Sequence, residues 1–299
     1  MTIAIWITLI ILSIFFIYFL SKDVIKHRKV LENVSVVKTA LIGFVVNFFD
    51  VLGIGAFAPQ TALLKFTKQT EDRILPGTLN VSNTIPVLIQ ALIFIQIVEV
   101  EPVTLISMLL SAAAGAILGA GIVAKLSVKK IQLTMGFALL VTAFFMLSGQ
   151  MNWIQNGGEA IGLNGGKLAL AIGANFILGA FMTVGIGLYA PCMALVYALG
   201  MSPLVAFPIM MGSCAFLMPP ASAKFIKEGA YNRKASVSMA IPGIIAVLIA
   251  AFLVKSLPLN TLRWVVIVVI IYTSLVMLKS GLNSRNQEII PQSKMKHYI

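Results

Sequence analysis

Polar and charged positions are confined to short stretches of the chain. The segments between them are apolar and carry no charge over residues 2–21, 74–98, 102–124, 168–223 and 235–254. A helix needs roughly 20 such residues to cross a bilayer. In hydrocarbon every backbone polar group must be satisfied inside its own segment, and runs this long and continuous exclude barrel strands. The pattern therefore predicts a polytopic helical membrane protein.

The apolar pattern also repeats. The stretch from Gly53-Ile54-Gly55-Ala56-Phe57-Ala58-Pro59 to Lys65 returns 132 positions later as Gly185-Ile186-Gly187-Leu188-Tyr189-Ala190-Pro191 to Tyr197, with seven of thirteen pairs identical. The same offset, without a gap, pairs Pro76 with Pro208 and Ser148 with Ser280. About two thirds of the chain thus reads as one unit used twice. Five segments follow: 1–37, an N-terminal transmembrane helix and basic linker; 38–148, the first repeat; 149–166, an extracytoplasmic linker; 167–280, the second repeat; and 281–299, a basic cytoplasmic tail. A duplicated apolar segment interrupted by Gly and Pro points to a transporter whose site lies where the copies meet.

Charge decides the topology. The chain is 59% hydrophobic and 11% charged, with a net charge of +12. In a soluble protein that excess would suggest nucleic acid, but here Lys and Arg sit in short loops, so topogenesis accounts for them and no nucleic-acid partner is expected. The first apolar run has no positive residue before it, ends in Lys22, Lys26, Arg28 and Lys29, and lacks a small-residue cleavage site. It reads as a retained helix with its N-terminus outside. If the segments at 39–65 and 167–199 each crossed once, the 22 Lys and Arg would divide 14 inside to 8 outside. If each enters and returns to its own side, the division becomes 19 to 3, which the positive-inside rule prefers. A hairpin plus three crossings is an odd number, so the two copies run in opposite directions. The expected fold is an all-α inverted-topology repeat of two units, each a broken or re-entrant helix hairpin plus three transmembrane helices, with an extra N-terminal helix. A parallel repeat with an unusual charge distribution stays open.

Candidate chemistry follows from the breaks. Gly53, Gly55 and Pro59, with Gly185, Gly187 and Pro191, should each mark a place where a helix stops and restarts. A helix starting near either proline exposes free N–H groups and the positive end of its dipole, a ready site for an anion. The competing role for these glycines is close helix packing. After each hairpin comes a second candidate: Thr78, Asn80, Ser82, Asn83 and Thr84 after Pro76, and Ser213 and Cys214 after Pro208. Neutral donors of this kind suit a small oxyanion, although Ser, Thr and Asn also join helices to one another. Pro219-Pro220 is expected to break the following helix. Asp50, the only charge at depth in either hairpin, could carry a coupling proton or cation, with Asn47 one turn earlier as its companion; capping and hydration are the alternatives. Its repeat partner is Met182. Cys192 and Cys214 have no disulfide or metal-binding spacing and read as small apolar residues or as a thiol relay for a sulfur substrate. The fourteen Met residues fill packing gaps.

No HExxH, GxSxG or Walker loop occurs, and neither His lies in an apolar run, so an enzyme is not expected and no cofactor is implied. The two GIGxxAP-type breaks, each opening a unit with three further hydrophobic spans, resemble the sulfite exporter TauE/SafE family, also called the 4-toluene sulfonate uptake permeases. The resemblance covers roughly residues 38–280. It implies secondary transport of sulfite, sulfoacetate or another organosulfonate across the bacterial inner membrane, with the two glycine breaks and the polar cluster after Pro76 as the substrate region. A passive anion channel, a non-sulfur solute and an intramembrane enzyme are the alternatives. The partners expected are a small anionic solute and the lipid bilayer; a homodimer is one option for the assembly.

Overall fold

In this computed structural model the structure describes residues 2–153, 158–185, 187–253 and 259–283. Ile186, most of the basic tail and Lys255 lie outside the described residues. The described residues form helices with no named strand: α1 (Thr2–Lys26), α2 (Val36–Asp50), α3 (Phe57–Phe66), α4 (Leu75–Ile97), α5 (Pro102–Val123), α6 (Val128–Gln150), α7 (Gly165–Met182), α8 (Tyr189–Ala198), α9 (Ala206–Lys227), α10 (Arg233–Leu253) and α11 (Leu259–Asn283). Seven of the helical segments are long and apolar enough to cross a membrane. Shifted by 132, α3 coincides with α8, and the other four pairs, α2 with α7 through α6 with α11, agree within three residues at each end.

Both hairpins exist. α2 stops at Asp50 and α3 starts at Phe57; between them Gly53 and Gly55 take φ of +79° and +87°, a region that a side chain disfavours. Likewise α7 stops at Met182 and α8 starts at Tyr189, with Gly185 at φ +104°. Each hairpin is closed where it began. The Ser35 N–H, just before α2, donates to Gln69 Oε1, just after α3, at 2.8 Å. Lys167 Nζ, in the first turn of α7, donates to the Leu199 carbonyl, just after α8, at 3.3 Å.

The surroundings of the two closures differ. Around the first, Asn232 Nδ2 donates to the Gln69 carbonyl, Lys65 pairs with Asp72 at 2.6 Å, and Gln132 Nε2 donates to Asp72 Oδ2. Close by, α1 is tied down by Arg233, which pairs with Asp23 at 2.7 Å, and by the Tyr231 hydroxyl, which donates to the same carboxylate. Burial, with Asp23 alongside, pushes the Tyr231 phenol well above its ordinary value. Around the second closure, the Glu101 N–H donates to the Ile161 carbonyl, and Gly158 and Ser202 bond to Met201 and Ala160.

Packing crosses between the repeats. α2 lies along α10 and α7 along α5, while α4 meets α9 and α6 meets α11. Several approaches are backbone-close, those at Gly43 and Gly179 among them. A Cβ at Gly43 would come within 2.3 Å of the Met239 carbonyl, and one at Gly179 within 2.1 Å of the Ala112 carbonyl. Large apolar side chains such as Ile3, Ile14, Leu41, Leu118, Phe137, Leu170 and Phe252 stay exposed, forming a surface suited to lipid.

One expectation fails. α9 runs unbroken from Ala206 to Lys227 through Pro219 and Pro220. An internal proline forfeits a backbone hydrogen bond, but packing against neighbouring helices carries membrane helices through it, as Pro86 and Pro242 show in α4 and α10.

Candidate functional site

The two hairpin tips meet. A Cβ on Gly55 would lie 3.7 Å from Tyr189 Cβ, and one on Gly187 would lie 4.0 Å from Phe57 Cβ. Here α3 and α8 both begin, and neither has a side-chain cap at its N-cap residue, Ala56 or Leu188. Pro59 and Pro191 occupy the third helical position, where a missing N–H leaves no intrahelical bond unmade. A void of about 10 Å³ lies at the junction, lined by Asp50, Gly55, Asn83, Gly187, Tyr189 and Cys214, among others. It has room for about one water. A larger cavity of about 350 Å³ reaches Gly53 and Ile54 from the end of the molecule that carries Gly149, Gln150 and Asn152.

Polar side chains run from this junction in a chain. Asn47 Nδ2 donates to Asn83 Oδ1 at 3.0 Å, Asn83 Nδ2 donates to Gln60 Oε1, and Gln60 Nε2 donates to Ser82 Oγ at 2.8 Å. All four residues are fully buried. A second group joins the tips. Gln90 Nε2 donates to Asp50 Oδ2 at 2.8 Å, and the Tyr189 hydroxyl donates to Gln90 Oε1 at 2.9 Å while lying 3.4 Å from Asp50 Oδ2. The Ala56 N–H also faces the Asp50 carboxylate. The thiol of Cys214 points at Met182 Sδ, 3.5 Å away.

Not every candidate residue reaches the junction. Thr78 donates to the Ile74 carbonyl and accepts from the Asn232 N–H, so it joins α4 to the turn before α10. Asn80 Nδ2 donates to the Pro76 carbonyl of its own helix, and its Oδ1 has no protein partner. Thr84 meets Ser222 across α4 and α9 at 3.0 Å. Ser213 accepts from Asn175, which also donates to the Met108 carbonyl, on the α5–α7 side. Pro191 lines a separate, predominantly apolar groove between α6, α7 and α8.

Gln60, Gln90, Tyr189 and Asn175 were not among the residues that sequence reasoning selected. The available signal was an amide side chain within an uncharged run, as Gln90 is within 74–98.

Helices of this length and apolarity, bundled around a buried polar junction, define a multi-pass membrane protein. Residues 167–298 match the family model described as sulfite exporter TauE/SafE, the family that the sequence resembles. Neither the curated proteins nor the solved structures contain a match.

Proposed function

We propose that the protein is a secondary transporter that moves a small sulfur-containing anion, such as sulfite, sulfoacetate or another organosulfonate, across the bacterial inner membrane by alternating access. The observation that carries this reading is the meeting of two helix starts, α3 and α8, neither capped by the side chain of its own N-cap residue, at a buried polar junction. Backbone N–H groups at helix N-termini favour an anion without holding it as tightly as a buried Arg would. The TauE/SafE match over residues 167–298 supports the substrate class.

In this reading the two units form an inverted-topology repeat, supported by hairpins that close at Ser35–Gln69 and at Lys167–Leu199 and touch at their tips. The basic residues around the first closure make that end cytoplasmic, with the N-terminus outside and the C-terminus inside. The central void is too small for any of these anions, so the tips must part for substrate to bind. The cavity at Gly53 and Ile54 is then the extracytoplasmic approach. A junction closed to about 10 Å³ favours a carrier over an open anion channel. Gly53, Gly55, Pro59, Gly185, Gly187 and Pro191 shape the backbone of the site, and Asn83, Ser82 and Cys214 stand closest to supplying its side chains. Thr78, Asn80 and Ser213 support it from neighbouring positions.

The test is uptake of labelled sulfite and sulfoacetate by liposomes containing the purified protein. Saturable uptake, reduced at least tenfold by Asn83→Ala with Ser82→Ala in a protein that still folds, is expected. A ligand at a hundred times its dissociation constant should also add about 2.7 kcal/mol of stability to the wild type. Uptake unaffected by the double substitution would refute the site.

A further inference from the structure

The two hairpin tips are alike in backbone but unlike in charge, and the difference bears on what accompanies the substrate. Asp50 is 2% exposed and sits where α2 ends against the start of α3. The groups around its carboxylate are Gln90 Nε2 from α4, the Tyr189 hydroxyl from α8 and the Ala56 N–H. Gln90 Nε2 and the Ala56 N–H donate to it, while the Tyr189 hydroxyl gives its one proton to Gln90 Oε1 and stands beside the carboxylate as a neutral polar group. Among the described residues no Lys, Arg or His pairs with Asp50; the ion pairs all involve Asp23, Glu32 or Asp72. The titratable groups that face it are Tyr189 on α8 and Cys214 on α9.

This is a site already holding an anion of its own at the α3 helix start. The equivalent place beside α8 holds Met182, which is uncharged. A substrate anion at the junction would enter the cavity that Asp50 itself lines, within a low-dielectric interior where no cation among the described residues lines the cavity to screen the two. Like charges in one buried site cannot both persist, so one must be neutralised. A sodium ion would do this only if offered several oxygen ligands. Gln90 Oε1 is turned to Tyr189, leaving Asn47 Oδ1, one helical turn away, as an unpartnered carbonyl on the same helix. A proton needs no such cage.

We propose that Asp50 takes up one proton for each substrate anion, making the protein a proton–anion symporter in which the anion enters the junction only when Asp50 is neutral. This inference rests on the transport reading above. Protonation also removes the charge that holds Gln90 and the α3 helix start, and through Gln90 it loosens Tyr189 on the opposite tip. The same proton that admits the anion therefore weakens the contact between the two hairpins, which must part for substrate to bind.

The experiment uses the purified full chain in liposomes loaded with a pH-sensitive dye, with sulfoacetate, fully ionised at neutral pH, as the first probe and sulfite as the second. Proton and anion entry should occur one to one in the wild type. A pH gradient should drive accumulation and a sodium gradient should not. Once Asp50 is ionised, anion affinity should fall about tenfold per pH unit. Asp50→Asn fixes the neutral state, so its binding should become independent of pH and its pH-driven accumulation should be lost. Anion uptake without proton uptake, uptake driven by sodium, or the same pH dependence in D50N and wild type would overturn the coupling while leaving the transport reading intact. If neither probe enters with the wild type, the transport reading and this inference fall together. Should D50N not fold, the proton-to-anion ratio of the wild type decides the question alone.

Discussion

The hairpin formed by α2 and α3 and the one formed by α7 and α8 have the same backbone plan and opposite chemistry. Where the first has Asp50, Gln60, Ser82 and Gln90 at or beside its tip, the second has Met182, Cys192, Cys214 and Ser222 at the positions 132 residues on. Gln60 and Ser82 are hydrogen-bonded at 2.8 Å; their counterparts are two free buried cysteines. Tyr189 reverses the trend, since its counterpart is Phe57, and its hydroxyl reaches across to Gln90 beside the first tip. Glycine-bearing turns at matched positions are retained in both copies, while the polar groups are concentrated in one. A duplicated scaffold can thus keep its geometry and divide its tasks, with one tip supplying charge and the other a neutral helix start.

The strongest way to break the comparison acts on the scaffold the repeats share. Gly43 on α2 meets Met239 on α10, and Gly179 on α7 meets Ala112 on α5, each backbone to backbone. Gly43→Val and Gly179→Val should each lower stability by about 3 kcal/mol, the upper end for overpacking, because carbonyls cannot move aside as side chains do. Thermal unfolding in detergent measures both. A large loss for one and none for the other would mean that the equivalent packing is not equivalent in energy.

A middle-sized effect separates the chemistry of the two halves. Gln60→Ala removes two buried hydrogen bonds, the one it accepts from Asn83 Nδ2 and the one it donates to Ser82 Oγ, and should cost about 2 kcal/mol. Cys192→Ala, at the matching position, removes only a small buried thiol and should cost about 1 kcal/mol. Equal losses would show that the hydrogen-bonded chain contributes no more than packing does.

The smallest effect belongs to the surface of the first repeat. Glu101 caps α5, accepting from the Val103 and Thr104 N–H groups at 3.0 and 2.6 Å. Bonds from Thr104 and then Val103 hold its carboxyl below the usual carboxylate range. A carboxylate with a lowered folded pKa adds stability above its unfolded value, and that stability is lost as pH falls through the folded one. Glu101→Ala should therefore cost about 1 kcal/mol at neutral pH and progressively less in acid. A pH-independent difference in melting temperature would remove the capping role.

Part of this was legible beforehand. The offset of 132 and the glycines and prolines within it located both hairpin breaks, because backbone conformations with positive φ leave a compositional trace. Asp50 was legible because a lone carboxylate in an apolar segment is costly wherever it sits. The dense cluster from Thr78 to Thr84 was visible as a cluster, but its directions were not. Asn83 and Ser82 face Gln60, Thr78 faces Asn232, and Asn80 turns to its own helix. Which way a polar residue points depends on which helix packs against it, and the partners here are 22 to 154 residues away in the chain. Gln90 and Tyr189 gave little local sign, since each acquires its role only by facing Asp50 across a helix or hairpin boundary. Pro219-Pro220 read as a break because local bonding argues for one, and the packing around α9 overrides it.

The sequence by itself determined the membrane, the repeat, the breaks and the distribution of basic residues, since each rests on length, spacing or composition along a single strand of chain. Tertiary structure decided that the two tips touch, that Asp50 is enclosed by uncharged polar groups with no cation among the described residues, and that the junction between the repeats is closed to about the size of one water. Those properties arise from contacts between separate segments, such as Asp50 with Gln90, 40 residues on, and with Tyr189, 139 residues on. Local pattern carries the conformation of each segment, while the match between distant surfaces emerges only when they pack.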